Sequence, residues 1–244
     1  MTIDLKDLSK RDLARLVELK LVVADAKEEN ALARLVETSI LLEGKKSRGK
    51  TLSAVALLYR MREEFNRHVV TVGTKMGLKP EFGEFQNLSE TQFKEALEKI
   101  QDVVDEELGA EEVVKALRSH GVDLMYATIA FDESYKLFDC RTPSDKMTRL
   151  FGYFIAQQAH YHCTTILITP SRDMIDRRVR QQLDWQGRCF HNKWTHNCTV
   201  RLVGGLETMT FTFSGIDDTF HVPYYSMYDR WTLVGYRKKH LDIQ

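Results

Sequence analysis

The sequence is short of the residues that break or staple a chain. Four prolines and 13 glycines in 244 residues exclude a collagen-like or linker-rich architecture. The four cysteines, Cys140, Cys163, Cys189 and Cys198, are scattered rather than framed. A disulfide scaffold is thereby excluded, and reduced thiols in an intracellular setting are expected. Excess charge of one sign is also missing, because 35 Lys+Arg face 35 Asp+Glu. A protein that coats nucleic acid by bulk electrostatics is excluded, and any contact with DNA or RNA must come from a local basic patch. No apolar run approaches the ~20 residues that span a bilayer; the longest, Leu52–Tyr59 and Tyr126–Phe131, are short. Residues 1–10 mix Asp and Lys and lack the apolar stretch of a signal peptide, so a cytoplasmic protein with no membrane span is expected. There is no low-complexity tract and no internal repeat.

What remains is an ordinary globular composition, 43% hydrophobic and 29% charged, at a length that suits one large domain with an appendage. Ser9 can cap a helix that runs on through Asp12–Glu37, with the polar stretch Asp25–Asn30 as a break point. The period then changes. Ser39–Glu43 is a short apolar run ending in glycine, Thr51–Phe65 is helical, and His68–Val72 is a second buried strand. Strand, loop, helix, strand at this spacing is a βαβ unit and implies a parallel sheet. Residues 75–120 are rich in Glu and Lys and read as a helical insertion, with one helix opening at Ser89-Glu90-Thr91-Gln92 and running to Val104, and a second over Ala110–Ser119. The βα rhythm resumes at Tyr126–Phe131, Ser144–His160 and Thr164–Thr169, and Asp173–Asp184 reads as helix. Beyond it the texture is β, at Cys198–Val203, Thr208–Phe213 and Phe220–Val222. The expected fold is α/β, a mainly parallel sheet flanked by helices. Residues 1–37 are expected to form a helical extension, and 38–244 the main domain with a β-rich C-terminal part.

The strongest motif is Gly44-Lys45-Lys46-Ser47-Arg48-Gly49-Lys50-Thr51, which fits G-x-x-x-x-G-K-[ST], the phosphate-binding P-loop. Successive backbone N–H groups wrap the phosphates of ATP, which needs glycine where a side chain would collide. Lys50 adds a point charge, the Thr51 hydroxyl is a Mg²⁺ ligand, and the helix that follows points its positive end at the same anion. The motif sits where it must, after a buried strand and before a helix. A second segment supports it. Ala127-Thr128-Ile129-Ala130-Phe131-Asp132-Glu133 is an apolar strand ending in two acids, the shape of a Walker B segment. Asp132 is expected to hold the Mg²⁺ shell and Glu133 to deprotonate the attacking water.

Phosphoryl transfer also needs positive charge beyond the γ-phosphate. The candidates are Arg149, Arg172, Arg177, Arg178 and Arg180, one of which a ring-forming ATPase would supply to its neighbour, with Arg48 as an alternative in cis. Arg177 and Arg180, three apart, can share a helix face. Thr169 or Ser171, at the end of a strand, could sense the γ-phosphate. Cys189, His191, His196 and Cys198 are of zinc-ligand type, but C-x-H with H-x-C is not a common zinc spacing, and strand residues are the favoured reading. Lys45, Lys46, Arg48, the run Arg172–Arg180 and Arg237–His240 are candidates for tracking a phosphate backbone.

In this order, GKKSRGKT, ATIAFDE, a helix, TTILITPS and an arginine-bearing segment resemble the HerA/FtsK branch of P-loop ATPases, and within it the genome-packaging ATPases of tailless icosahedral viruses. MIDRRVR at 174–180 and SMYDRW within 222–231 also look like zonula occludens toxin-like phage assembly proteins. The branch usually has glutamine at the end of the strand after Walker B, where Thr169-Pro170-Ser171 stands here. The resemblance implies a homo-oligomeric ring with ATP at subunit interfaces. It also implies sequence-independent translocation of double-stranded DNA into a capsid, DNA-stimulated hydrolysis, contacts with capsid vertex proteins, and a place in the host cytoplasm or the virion. A nucleotide-dependent assembly switch and a small-molecule kinase are the alternatives; Glu133 beside Asp132 counts against the kinase.

Overall fold

Five residues, Ser39–Glu43, form the first strand, β1, and all but the last are buried. A strand apolar on both faces needs cover on both, which is how parallel sheets sit between layers. A computed structural model of the chain has this arrangement; it describes residues 31–73, 76, 78, 79, 82–99, 110–119, 121–141, 146–192, 194, 197–213 and 227. Two compact units divide the chain, Met1–Leu35 and Val36–Gln244. Only residues 31–35 of the first are described, so the expected helix from Ser9 lies almost wholly outside the described residues.

Among the described residues eight strands form one sheet: β1, β2 (His68–Val72), β3 (Gln86–Leu88), β4 (Ala127–Phe131), β5 (Thr164–Thr169), β6 (Trp185–His191), β7 (Cys198–Gly204) and β8 (Glu207–Phe213), in the order β3-β2-β4-β5-β1-β6-β7-β8. Neighbours from β3 to β6 are parallel. Then β6, β7 and β8 follow as an antiparallel meander. The first strand lies inside the sheet, so the loop that leaves it opens at the carboxyl edge between strands, where α/β sheets collect ligands.

Helix α1 (Lys50–Phe65) buries Leu52, Val55, Leu58 and Met61 along β4, β5, β1, β6 and β7. Helices α2 (Glu90–Lys99), α3 (Ala110–Ser119) and α4 (Lys146–Gln157) build a separate core on alternate strand positions. There Phe93, Leu97, Val113, Phe151 and Phe154 meet Val70, Ile129, Phe131 and Leu167. Phe138 and Phe151 stack in that core with ring centroids 3.7 Å apart. Helix α2 opens with a reciprocal cap, as the Gln92 amide donates to Ser89 Oγ at 3.1 Å and the Ser89 amide to Gln92 Oε1 at 2.8 Å, so two otherwise orphaned donors are satisfied. Among the described residues no helix is long and apolar enough to cross a membrane.

Three expectations change. The 75–120 insertion is not purely helical, because Gln86–Leu88 extends the sheet as β3, with Val70 opposite Gln86; three residues are too few to show a period. The stretch 173–184 is not one helix. Ile175 bridges to Asp139, and Asp176 accepts from the Arg178 amide at 2.8 Å, so only a 3₁₀ turn Arg172–Met174 and the single turn α5 (Arg177–Arg180) form. Strand β6 is legible only at its end, Cys189 and His191, because an inward position before them holds glycine: a Cβ on Gly187 would lie 2.6 Å from Leu202 Cδ2 and 2.9 Å from Leu42 Cδ2. The expected end of the first insertion helix at Val104 and the strand Phe220–Val222 lie outside the described residues.

Candidate active site

Strand β1 delivers the chain to the loop Gly44–Thr51 and α1 carries it away. Gly49 caps α1 in the left-handed region, at φ 82°, with no side-chain acceptor on the helix's first amides. Those amides therefore point at whatever lies in the loop, as an anion site requires. A Cβ on Gly49 would stand 2.2 Å from Cys198 Sγ, so β7 forms a wall that only glycine fits. Lys45, Lys46, Ser47 and Arg48 are exposed, whereas Lys50 and Thr51 are half-buried. The Lys50 Nζ turns back on its own loop, donating to the Gly44 carbonyl at 2.7 Å and the Lys45 carbonyl at 3.2 Å. Burial lowers its pKa below that of an ordinary lysine, while the negative charges of Asp132 and Glu133 act the other way. Strands β1 and β4 both pair in parallel with β5, so the two distant motifs follow strands that end at the same edge of the sheet.

Asp132 follows β4 and is 8% exposed. Burial pushes its carboxyl up to about 6, helped by the Glu133 charge and opposed by the Glu133 amide, Lys50 and Lys136. Glu133 sits at φ 49° in the left-handed region, which breaks the strand and turns its side chain to an ion pair with Lys136. Ser134 Oγ donates to the Ile168 carbonyl at 2.9 Å and so ties this turn to β5. Beside it, Thr169 Oγ1 donates to the Ser171 carbonyl at 3.0 Å, and Ser171 Oγ accepts from the Asp173 amide at 3.4 Å. A half-buried lysine, a helix N-terminus, a buried carboxylate and a second carboxylate at the same edge can bind a polyphosphate with a divalent cation and take up a proton.

The arginines are placed differently. Arg149 is exposed on α4, and Arg177 and Arg178 are exposed on α5. Arg180 Nη1 is paired with Asp173 at 2.7 Å, and Arg172 Nη1 donates to Gln186 Oε1 at 2.9 Å. The zinc-type set also resolves: Cys189 and Cys198 are buried behind the loop, and burial pushes both thiols up to about 12. His196 lies outside the described residues, and among those described no group of three or more His, Cys, Asp or Glu side chains is placed to hold a metal. The sequence reading missed Lys136, the partner of Glu133, although an acid and a lysine three apart are a legible signal. It also missed Glu43, whose carboxylate accepts from the Arg172 amide at 3.1 Å and faces Arg188 at 3.6 Å; no local pattern announces that.

The profile of the zonular occludens toxin (Zot) family matches residues 39–198, from the first residue of β1 to the first of β7. The N-terminal domain of zonular occludens toxin from Neisseria meningitidis aligns with 80% of this chain and 100% of its own at 15% identity, with a TM-score of 0.50. The genome packaging NTPase of Sulfolobus turreted icosahedral virus 2, solved with AMPPCP, aligns with 71% of this chain and 96% of its own at 11% identity and a TM-score of 0.48. A KaiC-like protein of Pyrococcus horikoshii aligns with 73% and 86% at 16% identity and a TM-score of 0.44. No curated protein sequence matches significantly. The likeness is one of fold, and the sheet, loop and flanking helices are those of a P-loop NTPase.

Proposed function

The chain belongs to the zonular occludens toxin family, and from that premise and the site's geometry we propose that it is a magnesium-dependent ATPase. The observation that carries this reading is that β1 and β4 flank β5 in parallel register, so the loop holding Lys50 and the acids Asp132 and Glu133 follow strands that end at the same carboxyl edge. The loop amides and Lys50 bind the phosphates of ATP, Lys50 exchanging its loop carbonyls for phosphate oxygens. Asp132 and Thr51 fit a magnesium ion, because a carboxyl pushed up to about 6 by burial gains most from a cation beside it. When bound, the metal neutralises charge on the phosphate oxygens. Glu133 takes the proton of the attacking water, which requires it to leave Lys136.

The work done is movement of double-stranded DNA by a ring of identical subunits, in viral genome packaging, with Arg149, Arg177 or Arg180 supplied across the subunit interface. Family membership favours a second reading, an assembly ATPase that hydrolyses ATP without moving DNA. The test is ATP hydrolysis with and without duplex DNA, for the wild type and Glu133→Gln, with the oligomer's mass read in the same samples. DNA-stimulated turnover by a ring, lost in the variant, supports the motor. Turnover indifferent to DNA supports the assembly reading, and no turnover in either form overturns both.

A further inference from the structure

The turn that follows β4 holds Glu133 in a conformation that is costly for a residue with a Cβ. Its φ of 49° lies in the left-handed region, which residues other than glycine keep only when contacts hold them there. Three contacts do so. The Glu133 amide donates to Asp132 Oδ1 at 3.0 Å. The Glu133 carbonyl accepts from the Lys136 amide at 2.8 Å. The Glu133 carboxylate is paired with the Lys136 ammonium, and both side chains are close to half exposed. Lys136 thus grips Glu133 by main chain and side chain, across the single 3₁₀ turn Ser134–Lys136.

Another acid stands at the same edge. Glu90 opens α2, where the positive end of a helix favours a carboxylate, and it is half-buried. A Cβ on Gly73, the residue after β2, would lie 3.6 Å from Glu90 Oε1 and 3.8 Å from the Asp132 carbonyl. Glu90 and the backbone that leads into Glu133 therefore pack on one glycine. Glu90 has no ion pair of its own among the described residues. The hydrogen bond to Glu133 raises the Lys136 pKa, burial opposes it, and the Glu90 charge adds to the rise. One lysine thus lies in the field of two carboxylates and holds one of them.

We propose that Lys136 is a brake on Glu133 and that Glu90 releases it. This inference rests on the ATPase reading. A carboxylate held by an ammonium is a poorer proton acceptor than a free one. When Lys136 swings to Glu90, Glu133 loses its side-chain anchor, its left-handed backbone relaxes, and the acid turns to the attacking water. Lys136 and Glu90 are positioning residues, since both act through Glu133. The exchange trades one exposed ion pair for another, so neither position is strongly favoured, and removing a charge shifts the balance only a few-fold. That is the range of a regulator rather than of an on–off switch.

The test is steady-state ATP hydrolysis by the full chain, with the binding of a fluorescent ATP analogue measured separately. Lys136→Met keeps the stem and removes the charge. It is expected to raise kcat about threefold, with KM and analogue affinity unchanged, and Glu133→Gln is expected to abolish the gain. Lys136→Arg keeps the cation and is expected to give no such rise. Glu90→Gln removes the second acceptor and is expected to lower kcat about threefold. In the Lys136→Met background the same Glu90→Gln change is expected to have no effect, a dependence that a folding defect does not produce. A kcat that Lys136→Met leaves unchanged or lowers overturns the proposal while the ATPase reading stands. So does a Glu90→Gln change that is neutral in the wild type or equally harmful in both backgrounds. Absence of turnover in the wild type and in Lys136→Met, with the analogue bound, overturns the ATPase reading and this inference together.

Discussion

Replacing Asp132 by asparagine is expected to stabilise the protein at neutral pH and leave it unchanged in acid. The carboxyl is 8% exposed, and burial raises its pKa from 3.8 to about 6. A group whose folded pKa lies above its unfolded one favours the folded state fully below about pH 4, where both states are protonated. Between about pH 4 and 6 the unfolded chain ionises first and stability falls. Above about 6 both states are ionised and the whole cost is felt. The difference between 3.8 and about 6, at 1.36 kcal/mol per pH unit, is about 3 kcal/mol. Asparagine keeps the shape and the Oδ1 that accepts the Glu133 amide at 3.0 Å, and it removes the charge. Urea unfolding followed by the fluorescence of Trp185, itself 7% exposed, measures the difference from pH 4 to 8. It should grow from near zero to about 3 kcal/mol in favour of Asp132→Asn, roughly 6–12 °C in Tm. Adding Mg²⁺ and ATP should reverse the order at pH 8, by stabilising the wild type alone. A difference that is flat with pH, or a wild type that is the more stable at pH 8 without ligand, refutes the reasoning.

Three further outcomes are expected. Gly49→Ala puts a Cβ 2.2 Å from Cys198 Sγ at φ 82° and should cost about 2–4 kcal/mol in thermal unfolding; Cys198→Ala should restore part of it. Arg67, whose side chain is 5% exposed beside Glu37 at 4.0 Å and which donates to the His162 carbonyl, should cost about 2–4 kcal/mol as Arg67→Ala in urea. Glu37→Gln should cost less than that, since Glu37 is 37% exposed. Ser89→Ala removes the acceptor of the Gln92 amide at 3.1 Å and should lower stability by about 1 kcal/mol with an unchanged urea m-value, with Ser89→Thr restoring it.

The sequence by itself determined the elements whose signals are local. Continuous apolar runs placed β1, β2 and β5 at Ser39–Glu43, His68–Val72 and Thr164–Thr169, because a strand buried on both faces has no polar positions to blur it. The cap at Ser89 placed α2, and the P-loop spacing placed Lys50 at the start of α1. The Zot-like resemblance rested on short motifs of the same kind. Where the signal is not local, the sequence was silent. Strand β3 exists only because β2 offers it an edge, and β6 is disguised by Gly187, a residue chosen by the side chains of Leu42 and Leu202 around it. Tertiary structure also decided the electrostatics. The pKa of Asp132, the lowered pKa of Lys50 and the wall that Cys198 makes behind Gly49 depend on which groups a sheet brings together, not on spacing along the chain. The arginine pair on β6 and β7 is the clearest case. Arg188 and Arg201 are unremarkable in sequence, and only the antiparallel register sets the two charges face to face.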